Sequence, residues 1–211
     1  EENNDIDSER SLRTFALLCI GKLYLAFVMG EFGVVNQILE MAKSRVRMEQ
    51  LMHPMALSAI ELITGMASTC SGRRPTCRRA RVALRRIKKL AYFSPNFHMG
   101  KVFLLEAEIA ARKGNVNKSI MMYESSTAFF MKENVLYMQA MSCERQSRLL
   151  EKVGKPIEAG KYLQKARDAY EEWGCVVKLD QLDAILAKQK QVAPDGEDRL
   201  FAKPQHGEAK L

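Results

Sequence analysis

Nine basic residues crowd one short segment: Arg73, Arg74, Arg78, Arg79, Arg81, Arg85, Arg86, Lys88 and Lys89. Between Lys43 and Glu106 the only carboxylates are Glu49 and Glu61. On a helix over 76–92, Ala80, Ala83, Leu84, Ile87, Leu90 and Ala91 form one apolar stripe, so the cations line the opposite face. Such a face can bind an acidic protein surface, an anionic lipid or nucleic acid. It can equally be a solvated outer face, neutralised by carboxylates of neighbouring helices. Nucleic acid is the least favoured partner, because no exposed aromatics are interleaved and no DNA-binding motif is matched. The net charge of +8 and the pI near 9.3 permit an acidic partner without naming one.

Little else in the sequence has the spacing of a reactive site. Cys19, Cys70, Cys77, Cys143 and Cys175 are odd in number and scattered. They read as buried free thiols in a reducing, cytoplasmic setting, with Cys70 and Cys77 as the one pair that redox chemistry could use. His53, His98 and His206 lie at no ligand spacing from a cysteine or a carboxylate pair, so no metal site is expected. Neither a phosphate-binding G-x-x-x-x-G-K-[ST] loop nor a G-x-S-x-G turn occurs. Glu106 with Glu108, and Glu171 with Glu172, read as solvated helix faces or ion pairs, with Lys178 or Arg167 as partners for the second pair. No catalytic residue and no cofactor are expected. The run Met121, Met122, Tyr123, Phe129, Phe130, Met131, Tyr137 and Met138 reads as core between stacked helices.

The elements that would carry these residues are helical. Period-two alternation and hairpin dipeptides are lacking, while helical periodicity recurs throughout the 211 residues. In the first helix Leu17, Ile20, Gly21, Tyr24 and Val28 share a face. Breakers divide the chain into about nine helices, over 8–29, 32–49, 54–69, 75–93, 96–113, 116–131, 134–153, 156–173 and 175–190. Pro54 and Pro156 suit first-turn positions, and Asn96 and Asn117 suit caps. Residues 1–7 read as a flexible lead-in, 8–190 as one helical array, and 191–211 as a disordered tail. No apolar run is long enough to cross a membrane as a helix. Glu1 in place of methionine suggests a processed chain or a piece of a longer one.

A repeat organises the array. Gly30, Gly72, Gly114 and Gly154 are separated by 42, 42 and 40 residues. Counting from the glycine, position five holds Val35, Ser119 or Ala159, position nine Leu39, Tyr123 or Leu163, and position twelve Ala42, Ser126 or Ala166. Small residues allow the second helix of a pair to approach the first, a bulky one fills the groove, and each pair buries its apolar face against the next. The copy after Gly72 fits least well, with Arg81 at position nine. Trp173 and Gly174 end the last complete pair. The indole is expected in the groove beneath the following helix.

The period and the glycine, small, bulky, small pattern resemble tetratricopeptide repeats in a form longer than the common unit. The stretch ENVLYMQAMSCERQSRLLEKVGKPIEAGKYLQKARDAYEEWGCVVKLDQL is similar to the helical region of large multidomain signalling proteins. In these a kinase-like domain and an AAA-type ATPase precede the region, and GAF domains with a histidine kinase or nucleotide cyclase follow it. The matching positions are Gln139 to Leu150, Gly154, Ala159, Tyr162, Leu163, Ala166, Tyr170, Trp173, Gly174 and Val177 to Leu179. Ser119 and Ser126 depart from the alanines usual there, and the arginine-rich helix has no counterpart. The resemblance implies a right-handed α-α superhelix without catalytic residues, acting as a protein-interaction or coupling module. The alternative is a free-standing adaptor whose basic helix docks on an anionic membrane or nucleic acid.

Overall fold

In a computed structural model that describes residues 2–45, 54–70 and 76–192, every element is a helix. In chain order they are α1 (Glu2–Met29), α2 (Phe32–Arg45), α3 (Pro54–Cys70), α4 (Thr76–Phe93), α5 (Pro95–Arg112), α6 (Val116–Lys132), α7 (Leu136–Lys152), α8 (Pro156–Glu172) and α9 (Val176–Val192). Gly72, Arg73 and Arg74 lie outside the described residues, as does the chain beyond Val192 where the tail was placed. Helix α1 begins at Glu2.

From Val116 onward the geometry is regular. Helices α6, α7, α8 and α9 each have 17 residues and are joined by three-residue turns. Gly114, Gly154 and Gly174 have φ between 78° and 83°, and Asn134 takes the same role with φ 55°. In each turn the following amide reaches back five residues, as in Asn115 N–H to the Ala110 carbonyl at 3.0 Å and Val135 N–H to Phe130 at 2.9 Å. These bonds satisfy carbonyls that a helix end leaves open. The repeat read as about 40 residues is therefore two 20-residue halves, the second half-turn hidden because asparagine replaces glycine. Asn115 caps α6 by accepting from Lys118 N–H at 3.2 Å. Asn117 lies inside that helix, and Asn96 lies inside α5 behind Ser94 and Pro95. A proline in the first turn needs no N–H partner, and the residue before it starts the helix.

Short turns make successive helices antiparallel, and consecutive helices pack on each other from α3 to α9. The small residues set the spacing. Ser119 and Ser126 are wholly buried, and their hydroxyls donate to the carbonyls of Ala107 (2.8 Å) and Gly100 (3.1 Å) on α5. Forty residues later the roles reverse, with Ser147 on α7 donating to Ala159 on α8 at 2.8 Å. The serines that depart from the alanine pattern thus keep the close approach and add a hydrogen bond. A Cβ on Gly100 would lie 2.7 Å from the rings of Phe129 and Phe130.

Side-chain links run between alternate helices. Ser58 meets Lys101, Glu108 meets Arg145, and Glu144 meets Lys178. These join α3, α5, α7 and α9 into one layer. Tyr162 donates to Glu124 at 3.1 Å and ties α6 to α8 in the other layer. Helix α1 departs from a purely sequential stack. It packs on α2 and α3, and its last turns also reach α7 and α9 through Tyr24 against Tyr137 and Lys178 against Val28. Its buried face is Cys19, Leu23, Ala26 and Phe27. Of the residues read as sharing one face, Val28 is buried, Ile20 and Tyr24 are half-buried, and Leu17 and Gly21 are exposed. From Phe15 to Met29 the helix is apolar nearly all round, so periodicity could not choose its face.

Candidate functional site

Three features could carry function: the basic helix, a buried polar ladder, and an apolar edge. On α4 the expected stripe is correct, with Ala80, Ala83, Ile87 and Ala91 buried. Arg78, Arg79, Arg81, Arg85, Arg86, Lys88 and Lys89 are exposed. The flanks are partly neutralised, as the solvated-face reading expects. Arg86 pairs with Glu61 of α3 at 2.6 Å, and Lys88 pairs with Glu106 of α5 at 2.5 Å.

The polar ladder was not foreseen. Glu108 is almost fully buried. It accepts from Arg145 at 2.6 and 2.7 Å, from the Tyr123 hydroxyl at 2.7 Å and from Thr69 at 3.2 Å. Burial alone would raise its pKa. The Arg145 charge and these hydrogen bonds outweigh that, and hold the carboxyl below its usual value. Arg145 also donates to the Cys70 sulfur at 3.3 Å. One residue before it, Glu144 pairs with Lys178 at 3.0 Å and accepts from Tyr170 at 3.1 Å. Lys178 is therefore not a partner of Glu171 or Glu172; Arg167 pairs with Glu171, and with Asp183. Both carboxylates of the ladder are engaged by cations and hydroxyls, an arrangement that orients the helices.

Lys101 donates to the Ser58 hydroxyl at 2.8 Å between α3 and α5. Burial lowers its pKa to about 8. A serine beside a proton-poor lysine is in principle a nucleophile with its base. Ser58, however, has no exposed surface, and Lys101 is 6% exposed, so a substrate carbonyl has no path to the hydroxyl in this arrangement. The pair has a consequence for stability instead. The folded chain binds this proton less tightly than the unfolded chain, so stability rises as pH climbs from about 8 to the ordinary lysine value of 10.5. Below that window the charged ammonium carries its whole desolvation cost. Lys101→Met should raise the unfolding midpoint at neutral pH and remove the alkaline rise. Melts followed by circular dichroism at both ends of the window check this, and an unchanged slope contradicts it.

The edge formed by the α4–α5, α6–α7 and α8–α9 turns holds large apolar side chains in solvent. Tyr92, Phe93 and Phe97 lie at the first turn, Met131 at the second, and Trp173, Val176 and Val177 at the third. Trp173 was expected in the groove, yet it is 46% exposed. It stands at the C-cap of α8, and the space beneath is filled by fully buried Tyr170 and by Tyr137, whose ring lies 5.5 Å from the indole. Met121 is exposed as well, so the Met and aromatic run is only partly core; Tyr123, Phe130 and Met138 are the buried members.

Cys19 and Cys143 are buried free thiols, and Cys70 and Cys175 are half-buried and free. Among the described residues there is no cluster of histidine, cysteine and carboxylate able to hold a metal ion, and no helix long and apolar enough to cross a membrane. Comparison with protein-family models, curated proteins and solved structures finds no match for this chain.

Proposed function

We propose that this chain is a non-catalytic protein-interaction or coupling module of a larger cytosolic signalling protein, of the ATPase–kinase or ATPase–cyclase type that its repeat resembles. The observation that carries the interaction reading is the apolar edge. Trp173, Val176 and Val177 are 46, 66 and 62% exposed at one turn, on helices that the polar ladder links. Exposed apolar groups gathered at one place mark contact surfaces, and tryptophan is over-represented among the residues that dominate binding.

The test separates binding from folding. A Val176→Ser/Val177→Ser variant should melt within about 1 kcal/mol of the parent chain, because both side chains are largely in solvent. Quantitative affinity capture from extract of the source cell should show a partner held by the parent chain and lost from the variant. Identical captured sets would contradict the reading. Stoichiometric binding of Mg-ATP in a calorimetric titration would contradict its non-catalytic part.

A further inference from the structure

We propose that the outer ridge of α4, together with the aromatic tip at the α4–α5 turn, is a docking surface for an anionic lipid membrane. This goes beyond the interaction reading above and does not depend on it. The first observation is how the charges divide. Arg86 and Lys88, on the flanks of the helix, are met by Glu61 and Glu106 of the adjoining helices. Arg78, Arg81, Arg85 and Lys89, spaced 3, 4 and 4 residues apart, make one ridge between those flanks, and no carboxylate among the described residues pairs with them. The nearest approach within the ridge is Arg85 Nε to the Arg81 carbonyl at 3.4 Å. At a rise of 1.5 Å per residue the ridge is about 17 Å long. Like charges so placed repel, which an anionic surface relieves.

The second observation is what stands at the end of the ridge. Tyr92 and Phe93 are 83 and 80% exposed, with Phe97 of α5 beside them at 59%. The Tyr92 and Phe93 rings meet edge to face at 5.2 Å. Nothing in the residue spacing says that the last residues of α4 are left in solvent.

A membrane fits this combination best. The ridge is convex: α4 packs on α3 and α5 and turns its cations outward, so it offers no groove to a partner helix. A planar array of anionic headgroups can meet a convex ridge along its length. The Tyr92 ring, with its polar hydroxyl, suits the headgroup level and the Phe93 and Phe97 rings the acyl boundary beneath it, while lysine and arginine reach the phosphates. Single-stranded nucleic acid would instead need ring faces laid along its path as stacking platforms. Here the rings form one terminal wedge, with the edge of one against the face of the other.

Vesicle co-sedimentation of the full chain tests the proposal. The chain should sediment with vesicles of phosphatidylcholine containing phosphatidylserine and not with phosphatidylcholine alone, and high salt should release it. Arg78→Gln/Arg81→Gln/Arg85→Gln should weaken that binding about a hundredfold, at roughly one Debye-screened contact per cation. Tyr92→Ser/Phe93→Ser should weaken it about tenfold or more and leave the salt dependence in place. Both sets of side chains are exposed, so the melting midpoint should stay near that of the parent chain. Failure of the parent chain to sediment with phosphatidylserine vesicles, equal binding to both vesicle types, or wild-type binding by the triple variant would overturn the proposal. So would tighter binding to duplex DNA or single-stranded RNA than to the anionic vesicles. The comparison of lipids uses the unaltered chain and stands even if a variant fails to fold.

Discussion

Arg145→Met is expected to lower the unfolding free energy by about 3–5 kcal/mol, a large share of what holds a domain of this size together. The methionine fills much of the space but removes the charge that faces Glu108. That carboxylate is buried among Thr69, Tyr123 and Arg145, with a hydrogen bond from each. Two hydroxyl donors remain in the variant, and neither supplies a positive charge. The pH dependence identifies the cause. In the parent chain Glu108 has a depressed pKa, so its contribution is present above the unfolded carboxyl value of 4.5 and is lost as pH falls through the folded value. In the variant desolvation dominates and raises the pKa, so the penalty is full at neutral pH and fades as the carboxyl is protonated. The gap between the two melting midpoints should therefore narrow on acidification. A gap that is constant with pH would assign the loss to packing alone. Replacing Glu108 and Arg145 together by leucine and methionine should cost much less than the single change, because no unpaired charge is left buried.

Lys178→Met should loosen the C-terminal end of α1 against the array, at about 2–4 kcal/mol. Lys178 is buried. Its ammonium pairs with Glu144 at 3.0 Å and donates to the Val28 carbonyl at 2.8 Å, across 150 residues of chain. Val28 is in the last turn of α1, where carbonyls have no partner within the helix and where a cation is favoured by the helix dipole. The turn after it uses the carbonyls of Ala26 and Phe27, through Glu31 and Gly30, and leaves that of Val28 to the lysine. Glu144 keeps Arg148 and Tyr170 in the variant, so the loss falls mainly on α1. Hydrogen exchange should quicken over residues 19–30 far more than over α5 to α8. An even increase along the whole chain, or none, would contradict the role given to Lys178.

What could be read from the sequence follows from how local each signal is. Gly114 and Gly154 announce their turns because a positive φ selects glycine, and Ser119, Ala159 and Ala166 announce close approach because only small side chains fit there. Both properties belong to a residue and its immediate neighbours. Asn134 adopts the same left-handed turn but is a common surface residue elsewhere, so the 20-residue half-period stayed hidden. Glu108, Lys101 and Lys178 look like solvated helix charges until their partners are known. Those partners lie 37 residues away for Glu108 and Arg145, 43 for Lys101 and Ser58, and 150 for Lys178 and Val28. The buried face of α1 is legible only in part for the same reason. Leu17, Leu18 and Leu25 are as apolar as Leu23, and only the position of α2 and α3 decides which of them is covered. Trp173 is assigned to the groove by its place just before Gly174 and the following helix, and Tyr170, three residues earlier, fills that space.

The apolar edge is the feature on which the functional account depends, and hydrogen–deuterium exchange of the chain with and without its captured partner tests it most directly. The account predicts added protection concentrated at the α6–α7 and α8–α9 turns, around Met131 and from Trp173 to Lys178, with the inner ladder around Glu108 and Arg145 unchanged because it is already closed. Protection confined to other surfaces, or no partner-dependent protection at Trp173, Val176 and Val177, would contradict it.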